Sequence, residues 1–258
     1  MKGKAIVLGS GTSQGVPMIA CSCEVCSSTD PKDKRLRASL LFAVNGKNYV
    51  IDAGPDFRQQ MLRAQVNDLE AIIFTHEHKD HVAGLDDVRA YNYRYNSPMD
   101  IFCTTAVETA LKREFHYIFS TENYPGIPKI KLHTIANAPF SVGPACTLIP
   151  IQVYHYKMPV LGFRIGDFAY ITDAKTIDKK ESDKLLGLET LIINSLHQSK
   201  HISHFNLEEA LEFIALIQPK KAYLTHISHL FGKHASIQKL LPENVSLAFD
   251  GMEIDFNL

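Results

Sequence analysis

The sequence lacks both a surplus of charge and any long apolar run. Its 258 residues include 27 basic and 28 acidic side chains, so a general nucleic-acid or membrane-surface binder is not expected without a local charged patch. The apolar stretch from Ala5 to Leu8 is shorter than the roughly 7 to 15 residues of a signal-peptide core, and no uncharged run approaches the roughly 18 residues of a membrane helix. We therefore expect a cytoplasmic protein without a membrane partner.

Cysteine is also scarce, and the five cysteines are unevenly placed. An odd number argues against a disulfide framework. Cys103 and Cys146 stand alone in apolar segments, where we expect small buried side chains. The other three form the cluster Cys21-Ser22-Cys23-Glu24-Val25-Cys26. Its three thiolates suit a tetrahedral zinc site that needs one further ligand, with a redox or disulfide role as the alternative.

The chain shows no fixed-period repeat and no low-complexity linker. Because 45% of its residues are hydrophobic, it can bury a sizeable core, and we expect a single domain over residues 1–258. Short strands are predicted at 5–8, 39–44, 47–52, 70–74, 99–103, 146–151, 161–165, 168–172, 190–194, 221–225 and 246–249. Helices are predicted at 57–66, 82–92, 106–119, 179–186 and 206–217. Asn45-Gly46 and Gly166-Asp167 predict hairpin turns, and the whole pattern suits sheets covered by helices.

The densest group of polar side chains directly follows the predicted strand at 70–74. His76, His78, Asp80 and His81 place four potential ligands within six positions. Neutral imidazole nitrogens suit zinc, manganese or iron, and a carboxylate lowers the charge of a second metal nearby. The alternative, a polar surface turn, would favour glycine, asparagine, aspartate and serine over three histidines.

Three further candidates follow later predicted strands. They are His155, Asp173 and His226, and each taken alone could be structural. The strand that ends in Thr225-His226 echoes the strand that ends in Thr75-His76, because both deliver a Thr-His pair at their carboxyl ends.

The pattern His-x-His-x-Asp-His, followed by a helix beginning Val82-Ala83-Gly84-Leu85, resembles the signature of the metallo-β-lactamase superfamily. The resemblance implies an α+β fold, a four-layer αββα sandwich whose metal ligands lie on loops at one sheet edge. It also implies two divalent catalytic metals, zinc or manganese. The implied ligands are His76, His78 and His155 for one metal and Asp80, His81 and His226 for the other, with Asp173 and a hydroxide bridging.

Asp52 follows the predicted strand at 47–52 and resembles a carboxylate that orients a metal ligand. An Asx-turn before Gly54 is an equally good interpretation. Two metals would make hydroxide available near pH 7 and would polarise the substrate, so hydrolysis is the expected chemistry.

Three more motifs indicate a closer relationship. The cysteine cluster follows Gly9-Ser10-Gly11-Thr12-Ser13-Gln14-Gly15-Val16-Pro17, and the C-terminal region holds Thr225-His226-Ile227-Ser228-His229 and Phe249-Asp250-Gly251-Met252-Glu253-Ile254. Together they resemble the phosphoribosyl cyclic phosphate phosphodiesterases of bacterial phosphonate breakdown, from about residue 5 to residue 254. The glycine-rich loop lacks the Gly-Lys-Ser/Thr ending of a P-loop, so its glycines are expected to permit a tight turn.

That family resemblance implies two further roles. Cys21, Cys23, Cys26 and His229 would hold one structural zinc. His204 would join Asp80 as a catalytic residue, because a histidine at this position acts as an acid or phosphate-binding group. His197 and His201 share its loop and are interpreted as exposed polar residues.

The resemblance is weakest between residues 90 and 140. The segment from Asp86 to Pro128 is expected either to shape a substrate pocket or to form an ordinary helix and surface loop. The sequence leaves the oligomeric state open, a homodimer included.

The expected function is a phosphodiesterase acting on a small phosphate ester, with cyclic esters among the candidates. A tRNA 3′-processing endonuclease is the first rival, although the chain lacks the long basic arm of those enzymes, and nucleic acid is not the expected partner. Thioester or lactone hydrolysis is the second rival. Iron redox chemistry is disfavoured because a carboxylate would usually replace His78, and a non-catalytic metal-stabilised binding protein would have degenerate ligands.

Overall fold

The computed structural model describes residues 1–120, 125–143 and 146–258. Its strands in these ranges are β1 (Lys2–Gly9), β2 (Ser39–Val44), β3 (Lys47–Ile51), β4 (Ala71–Ile73), β5 (Met99–Cys103), β6 (Ile130–Thr134), β7 (Phe140–Gly143), β8 (Cys146–His155), β9 (Met158–Ile165), β10 (Phe168–Ile171), β11 (Thr176–Ile177), β12 (Thr190–Asn194), β13 (Lys221–Thr225), β14 (Val245–Leu247) and β15 (Glu253–Asn257). Its α-helices are α1 (Phe57–Arg63), α2 (Lys79–Val82), α3 (Arg89–Tyr95), α4 (Thr105–Glu114), α5 (Lys179–Ser182), α6 (Leu207–Ile217) and α7 (His234–Gln238). None of the helices in these ranges is long and apolar enough to cross a membrane.

The strands form two sheets. The first has the order β15-β1-β2-β3-β4-β5-β6, and the second has the order β11-β8-β9-β10-β12-β13-β14, with β7 paired to β8. Strands β3 to β6 run parallel to one another, and so do β10, β12, β13 and β14. Each sheet therefore brings several carboxyl ends to one edge, where ligands in such sheets commonly bind.

Three hydrophobic layers separate the sheets and helices. Large side chains of both sheets, such as Phe42, Phe163 and Tyr170, pack between them and are fully buried. The opposite face of the first sheet packs against helical residues that include Phe57, and that of the second packs against residues that include Ile214. Each such burial contributes about 1.5–3 kcal/mol. The predicted four-layer αββα arrangement is confirmed.

Both predicted hairpins are present. Asn45 and Gly46 join β2 to β3 with φ of 52° and 73°, which is the double positive φ of a type I′ turn. Gly166 has φ of 56° in the connection between β9 and β10. The predicted last long helix, α6, begins with a capping box in which the Asn206 side chain accepts from the Glu209 N–H and the Glu209 carboxylate accepts from the Asn206 N–H.

The helix predicted at 82–92 is divided into pieces. Helix α2 ends at Val82, a 3₁₀ turn follows at Leu85–Val88, and α3 begins at Arg89. The cause is Gly84, whose N–H donates to the Ala53 carbonyl instead of to its own helix. A Cβ on Gly84 would lie 2.1 Å from the Gly54 carbonyl oxygen. The backbone at Gly84 therefore packs directly against the backbone at Gly54, which follows β3.

In the described ranges, four strands were not predicted: β6, β7, β11 and β15. All of them except β7 are edge strands of a sheet. In β15 the exposed positions are Glu253, Asp255 and Asn257, alternating with the buried Ile254 and Phe256. This period of two is typical of a half-buried strand. The strand was not predicted because its exposed charged residues resemble those of a loop.

Candidate metal centre

Three candidate residues lie directly beyond strand ends in the left-handed backbone region. Asp52 follows β3 with φ of 64°, Asp173 lies two residues after β10 with φ of 58°, and His226 follows β13 with φ of 57°. Residues other than glycine seldom adopt such values, at a cost on the order of 1 kcal/mol each. The left-handed residues turn the chain sharply, so the three side chains converge between the two sheets.

The first ligand group is His76, His78 and Asp173. His76 Nε2 lies 3.1 Å from His78 Nδ1 and 3.8 Å from Asp173 Oδ2. The ring of His155 lies further out, with its centroid 5.1 Å from that of His78 and 6.0 Å from that of His76. The Nδ1 of His155 bonds the Ser203 carbonyl oxygen at 2.8 Å, which leaves Nε2 free to act as a ligand.

The second ligand group is Asp80, His81 and His226. His81 Nε2 lies 3.1 Å from Asp80 Oδ2, and His226 Nε2 lies 3.8 Å from the same oxygen. The two imidazole nitrogens also lie 3.5 Å and 3.3 Å from Asp173 Oδ1. Asp173 therefore turns one carboxylate oxygen to each group, which is the arrangement a bridging ligand requires.

These separations fit divalent metals. Metal–ligand bonds of about 2.0–2.2 Å place tetrahedral ligand atoms roughly 3.3–3.6 Å apart, within the observed spread of 3.1–3.8 Å. The Nε2 of His81 and both ring nitrogens of His226 are buried without a hydrogen-bond partner. Buried polar atoms of this kind normally have a partner, and a metal would supply one.

The charge balance of the site also favours cations. Burial lowers the pKa of His81, but the carboxylates of Asp173, Asp80 and Asp52 outweigh burial and raise this pKa well above its ordinary value. Burial acts to raise the pKa of Asp80, but His81 and His226 outweigh it and hold that pKa well below its usual range. Two carboxylates with lowered pKa values, those of Asp80 and Asp173, thus face one small buried volume, and positive charge there is strongly stabilised.

Asp52 is fully buried and contacts a candidate ligand. Its Oδ2 lies 2.7 Å from His81 Nδ1 and accepts from the Thr75 hydroxyl, while its Oδ1 accepts from the Thr75 N–H. Because Nδ1 of His81 is engaged, Nε2 faces Asp80 and the metal position. This is the hydrogen bonding expected of a carboxylate that orients a metal-bound imidazole.

We expect Asp52→Asn to weaken metal binding at the second ligand group by about 10–100-fold, the usual cost of losing such an orienting partner. The amide keeps the shape of the side chain but not its charge. Calorimetric titration of the metal-free protein with Zn²⁺ measures the change. Asp167→Asn, at the hairpin between β9 and β10, is the control, and equal affinities of the two variants would contradict the orienting role.

His204 lies against the ligands, as its predicted role requires. Its ring centroid is 4.4 Å from that of His155 and 4.8 Å from that of His226, with which it stacks at 24°. Burial first, and then the neighbouring His226, lower the pKa of His204 to about 2. Its Nδ1 is buried without a partner. The side chain thus occupies the wall of the site.

The three clustered cysteines meet His229 at a separate place. The Sγ atoms of Cys21 and Cys23 each lie 3.4 Å from His229 Nδ1, and Cys26 completes the group. A tetrahedral zinc with bonds of about 2.0 Å to nitrogen and about 2.3 Å to sulfur separates such atoms by roughly 3.5 Å. A hydrogen bond from the Cys26 N–H, followed by His229, lowers the pKa of Cys23 to about 6. The donor set fits one structural zinc.

Hydrogen bonds among the other family motifs connect the N-terminal segment that carries the cysteines to the strand end at His226. The carboxylate of Asp250 accepts from the N–H and hydroxyl of Ser10 and from the Leu36 N–H. Ser10 in turn accepts from the N–H of Ile227, the residue after His226. In the glycine-rich loop, Gly15 makes the expected positive-φ turn at 65°. Gly9 instead permits close backbone contact, since a Cβ there would lie 1.9 Å from the Arg37 carbonyl oxygen.

The segment from Asp86 to Pro128 forms cavities of its own, and its residues 121–124 lie outside the described ranges. A cavity of about 680 Å³ is lined by residues that include Arg89, Tyr93 and Lys129, and none of its lining residues is a candidate metal ligand. Asp86 pairs with Arg89 and accepts from the Tyr117 hydroxyl. The segment thus combines helices with a cavity whose described lining includes none of the candidate metal ligands, and its two interpretations stay predictions.

Three supporting groups were missed from the sequence. The Thr75 N–H and hydroxyl hold Asp52, and the Ser203 carbonyl holds His155. The buried amide of Asn194 bonds both the N–H and the carbonyl of Ala174, next to Asp173. The repeated Thr-His pair could have indicated a role for Thr75. The role of a backbone carbonyl cannot be predicted from a residue type, because every residue has one.

Comparisons with known proteins agree with this geometry. The family model described as "Beta-lactamase superfamily domain" matches residues 47–227. The chain belongs to the metallo-β-lactamase superfamily. The predicted superfamily is confirmed, and within it the chain is similar to the PhnP family. A solved diphosphatase from the PhnP family is 36% identical, with a TM-score of 0.93 over 99% of this chain and 98% of that one.

Two other proteins are also similar to this chain. An octanoyltransferase from Porphyromonas gingivalis is 39% identical over 253 residues, which are 97% of this chain and 51% of that protein. This chain therefore spans about half the length of that relative. Zn²⁺-bound PqqB from Methylobacterium extorquens has a TM-score of 0.81 at 19% identity, covering 98% of this chain and 100% of that one. That likeness shows the common fold.

Proposed function

We propose that this metallo-β-lactamase superfamily hydrolase cleaves a small phosphate diester or diphosphate at a dinuclear metal centre. The observation that carries the proposal is the carboxylate of Asp173, which turns Oδ2 toward His76 and Oδ1 toward His81 and His226. Asp173 could thus be a ligand shared by two divalent cations, which would stabilise the charge that develops on the attacking and leaving oxygens. The similar diphosphatase supports a reaction at phosphorus.

The first ligand group and His155 would hold one cation, and the second group would hold the other. Zinc or manganese ions bound there would activate water at neutral pH and polarise phosphoryl oxygens. The protein would position these cations and exclude water from the buried side of the site. His76, His81 and His226 are almost completely buried, whereas His78 is exposed and His155 half-buried, so substrate would enter on the side of His78 and His155.

His204 would serve the leaving group. Its ring stacks on that of His226 and lies beside His155, at the wall where an oxygen departing from phosphorus would emerge. There its neutral imidazole can donate a hydrogen bond to a phosphoryl oxygen or to the leaving oxygen.

A second candidate function is hydrolysis of an acyl ester or thioester by the same centre. The observation that favours it is the 39% identity to an octanoyltransferase, half of whose length this chain covers. A nuclease function has less support. Human tRNase Z has a TM-score of 0.72 at 17% identity, and the formal charge of −1 offers little surface to neutralise a polynucleotide.

The experiment is a substrate screen with protein stripped by chelator and reloaded with Zn²⁺ or Mn²⁺. Bis(4-nitrophenyl) phosphate, diphosphates, thioesters and lactones are compared with the metal-free protein as the blank. We expect metal-dependent turnover of the phosphorus compounds and its loss in Asp80→Ala. Turnover of thioesters alone would reject the proposal in favour of the second candidate, and turnover that survives Asp80→Ala would reject the two-metal arrangement.

A further inference from the structure

A second histidine lies outside His204 in the same loop. The ring centroid of His201 is 5.3 Å from that of His204, with the planes tilted by 33°. His204 is itself 4.8 Å from the ligand His226. The three rings therefore form a row in which His204 lies in contact with both His226 and His201.

The orientation of His201 is fixed by Ser203. The Nδ1 of His201 accepts from the Ser203 N–H at 3.3 Å and lies 3.2 Å from the Ser203 hydroxyl. The carbonyl of the same serine bonds His155 Nδ1 at 2.8 Å. Because Nδ1 of His201 is an acceptor, the proton of the neutral ring is on Nε2, which becomes a hydrogen-bond donor.

The surroundings of His201 give that donor access to a ligand. The ring is only partly buried, and it contacts the ring of His204, which in turn lies 4.4 Å from that of the half-buried His155. The exposed Lys200 precedes His201 in the chain and adds a positive charge that suits an anion, whereas the charge of Lys175 is paired with Glu209 at 2.7 Å. An exposed polar residue, the interpretation drawn from sequence, would not need the fixed orientation.

The chemistry of the proposed reaction indicates what this donor would contact. Water attacks one phosphorus, the bond from that phosphorus to the leaving oxygen breaks, and the leaving oxygen departs with the electron pair and gains a proton. If His204 serves the leaving oxygen, atoms attached beyond that oxygen would reach the next ring of the row, that of His201. A simple aryl leaving group has no anionic oxygen there, whereas the second phosphoryl group of a diphosphate does.

Building on the proposed function, we propose that His201 is a specificity-determining residue that binds the departing phosphoryl group of a diphosphate substrate. The substrate class is a diphosphate with an organic group on each phosphorus, and hydrolysis converts it to two phosphate monoesters. His201 Nε2 donates to a non-bridging oxygen of the leaving phosphate. The residue selects between substrates and leaves the attack on the first phosphorus to the metal centre.

The test compares two substrates that differ in the leaving group. Metal-loaded protein of residues 1–258 is assayed with P1,P2-diphenyl diphosphate, followed by phosphorus NMR, and with bis(4-nitrophenyl) phosphate, followed by absorbance. For His201→Ala we expect kcat/KM to fall about 10–100-fold on the diphosphate, the range for losing a hydrogen bond to a charged group. On the nitrophenyl ester we expect less than about a 3-fold change. His201→Gln, which keeps an N–H near Nε2, should recover most of the diphosphate activity.

Controls separate specificity from structure. His116→Ala removes an exposed histidine outside this loop and should leave both activities unchanged, and metal content is measured for each variant. Equal losses on both substrates, or no loss on either, would overturn the role of His201. Wild-type turnover of the nitrophenyl ester without turnover of the diphosphate would overturn the substrate class alone. Failure of wild-type protein on both substrates would reject the proposed function itself.

Discussion

Asp173→Asn should lower kcat for phosphodiester hydrolysis by about 10²–10³-fold or more, the range seen when one group that stabilises developing charge is removed. Asp173 is the residue shared by both ligand groups, with three imidazole nitrogens within 3.8 Å of its oxygens. The amide presents one oxygen and one NH2 group, so one of two cations bound there would lose a ligand. Steady-state kinetics and metal analysis of the purified protein check the expectation.

The metal content should fall together with the rate. Asp183→Asn is a suitable control, because Asp183 is half-exposed and pairs only with a surface lysine, Lys179, among its described salt bridges. It should retain wild-type kinetics and metal content. If Asp173→Asn kept both metals and a rate within a few-fold of wild type, the bridging arrangement would be wrong.

Cys23→Ser should remove one zinc per chain and lower the melting temperature by about 10–20 °C. The zinc would connect residues 21–26 to His229 and close a loop of about two hundred residues. Cross-links over such long loops contribute about 4–5 kcal/mol, and each kcal/mol shifts the melting temperature of a chain of this size by about 2–4 °C. Calorimetry and elemental analysis measure the two changes.

The loss should also reach the catalytic centre. His229 lies three residues after His226, and the Ile227 backbone between them bonds Ser10 and Thr12. Weaker binding of the second metal is therefore expected in Cys23→Ser. Cys146→Ala is the matched control, since it removes a buried thiol that contacts no zinc ligand group. An unchanged zinc content in Cys23→Ser would contradict the structural zinc.

The sequence predicted the candidate metal ligands best where several of them lie close together in the chain. The run from His76 to His81 follows one strand, so its four side chains were certain to be neighbours. The placement of His155, Asp173 and His226 came from a family resemblance, because lone residues after strands have no periodicity to mark them. The structure brings all of them to one edge through two sheets whose strand order no short motif encodes.

Other features depended on contacts between distant parts of the chain. The interruption of the helix predicted at 82–92 follows from the contact of Gly84 with Gly54, which is set by packing and not by propensity. Strand β15 pairs with β1 across nearly the whole chain, and its charged outer face resembles a loop. The orientation of His201 depends on a hydrogen bond from Ser203, which a sequence pattern does not show.

The left-handed residues at the three strand ends have a consequence for engineering. At Asp52, Asp173 and His226, glycine would suit the backbone better than the residue present. A library of variants selected for thermal stability alone would therefore be enriched in glycine at these positions while losing the carboxylates and imidazole that define the enzyme. Stability and activity oppose each other here, so a stabilised version of this protein should be sought by mutating residues remote from these strand ends.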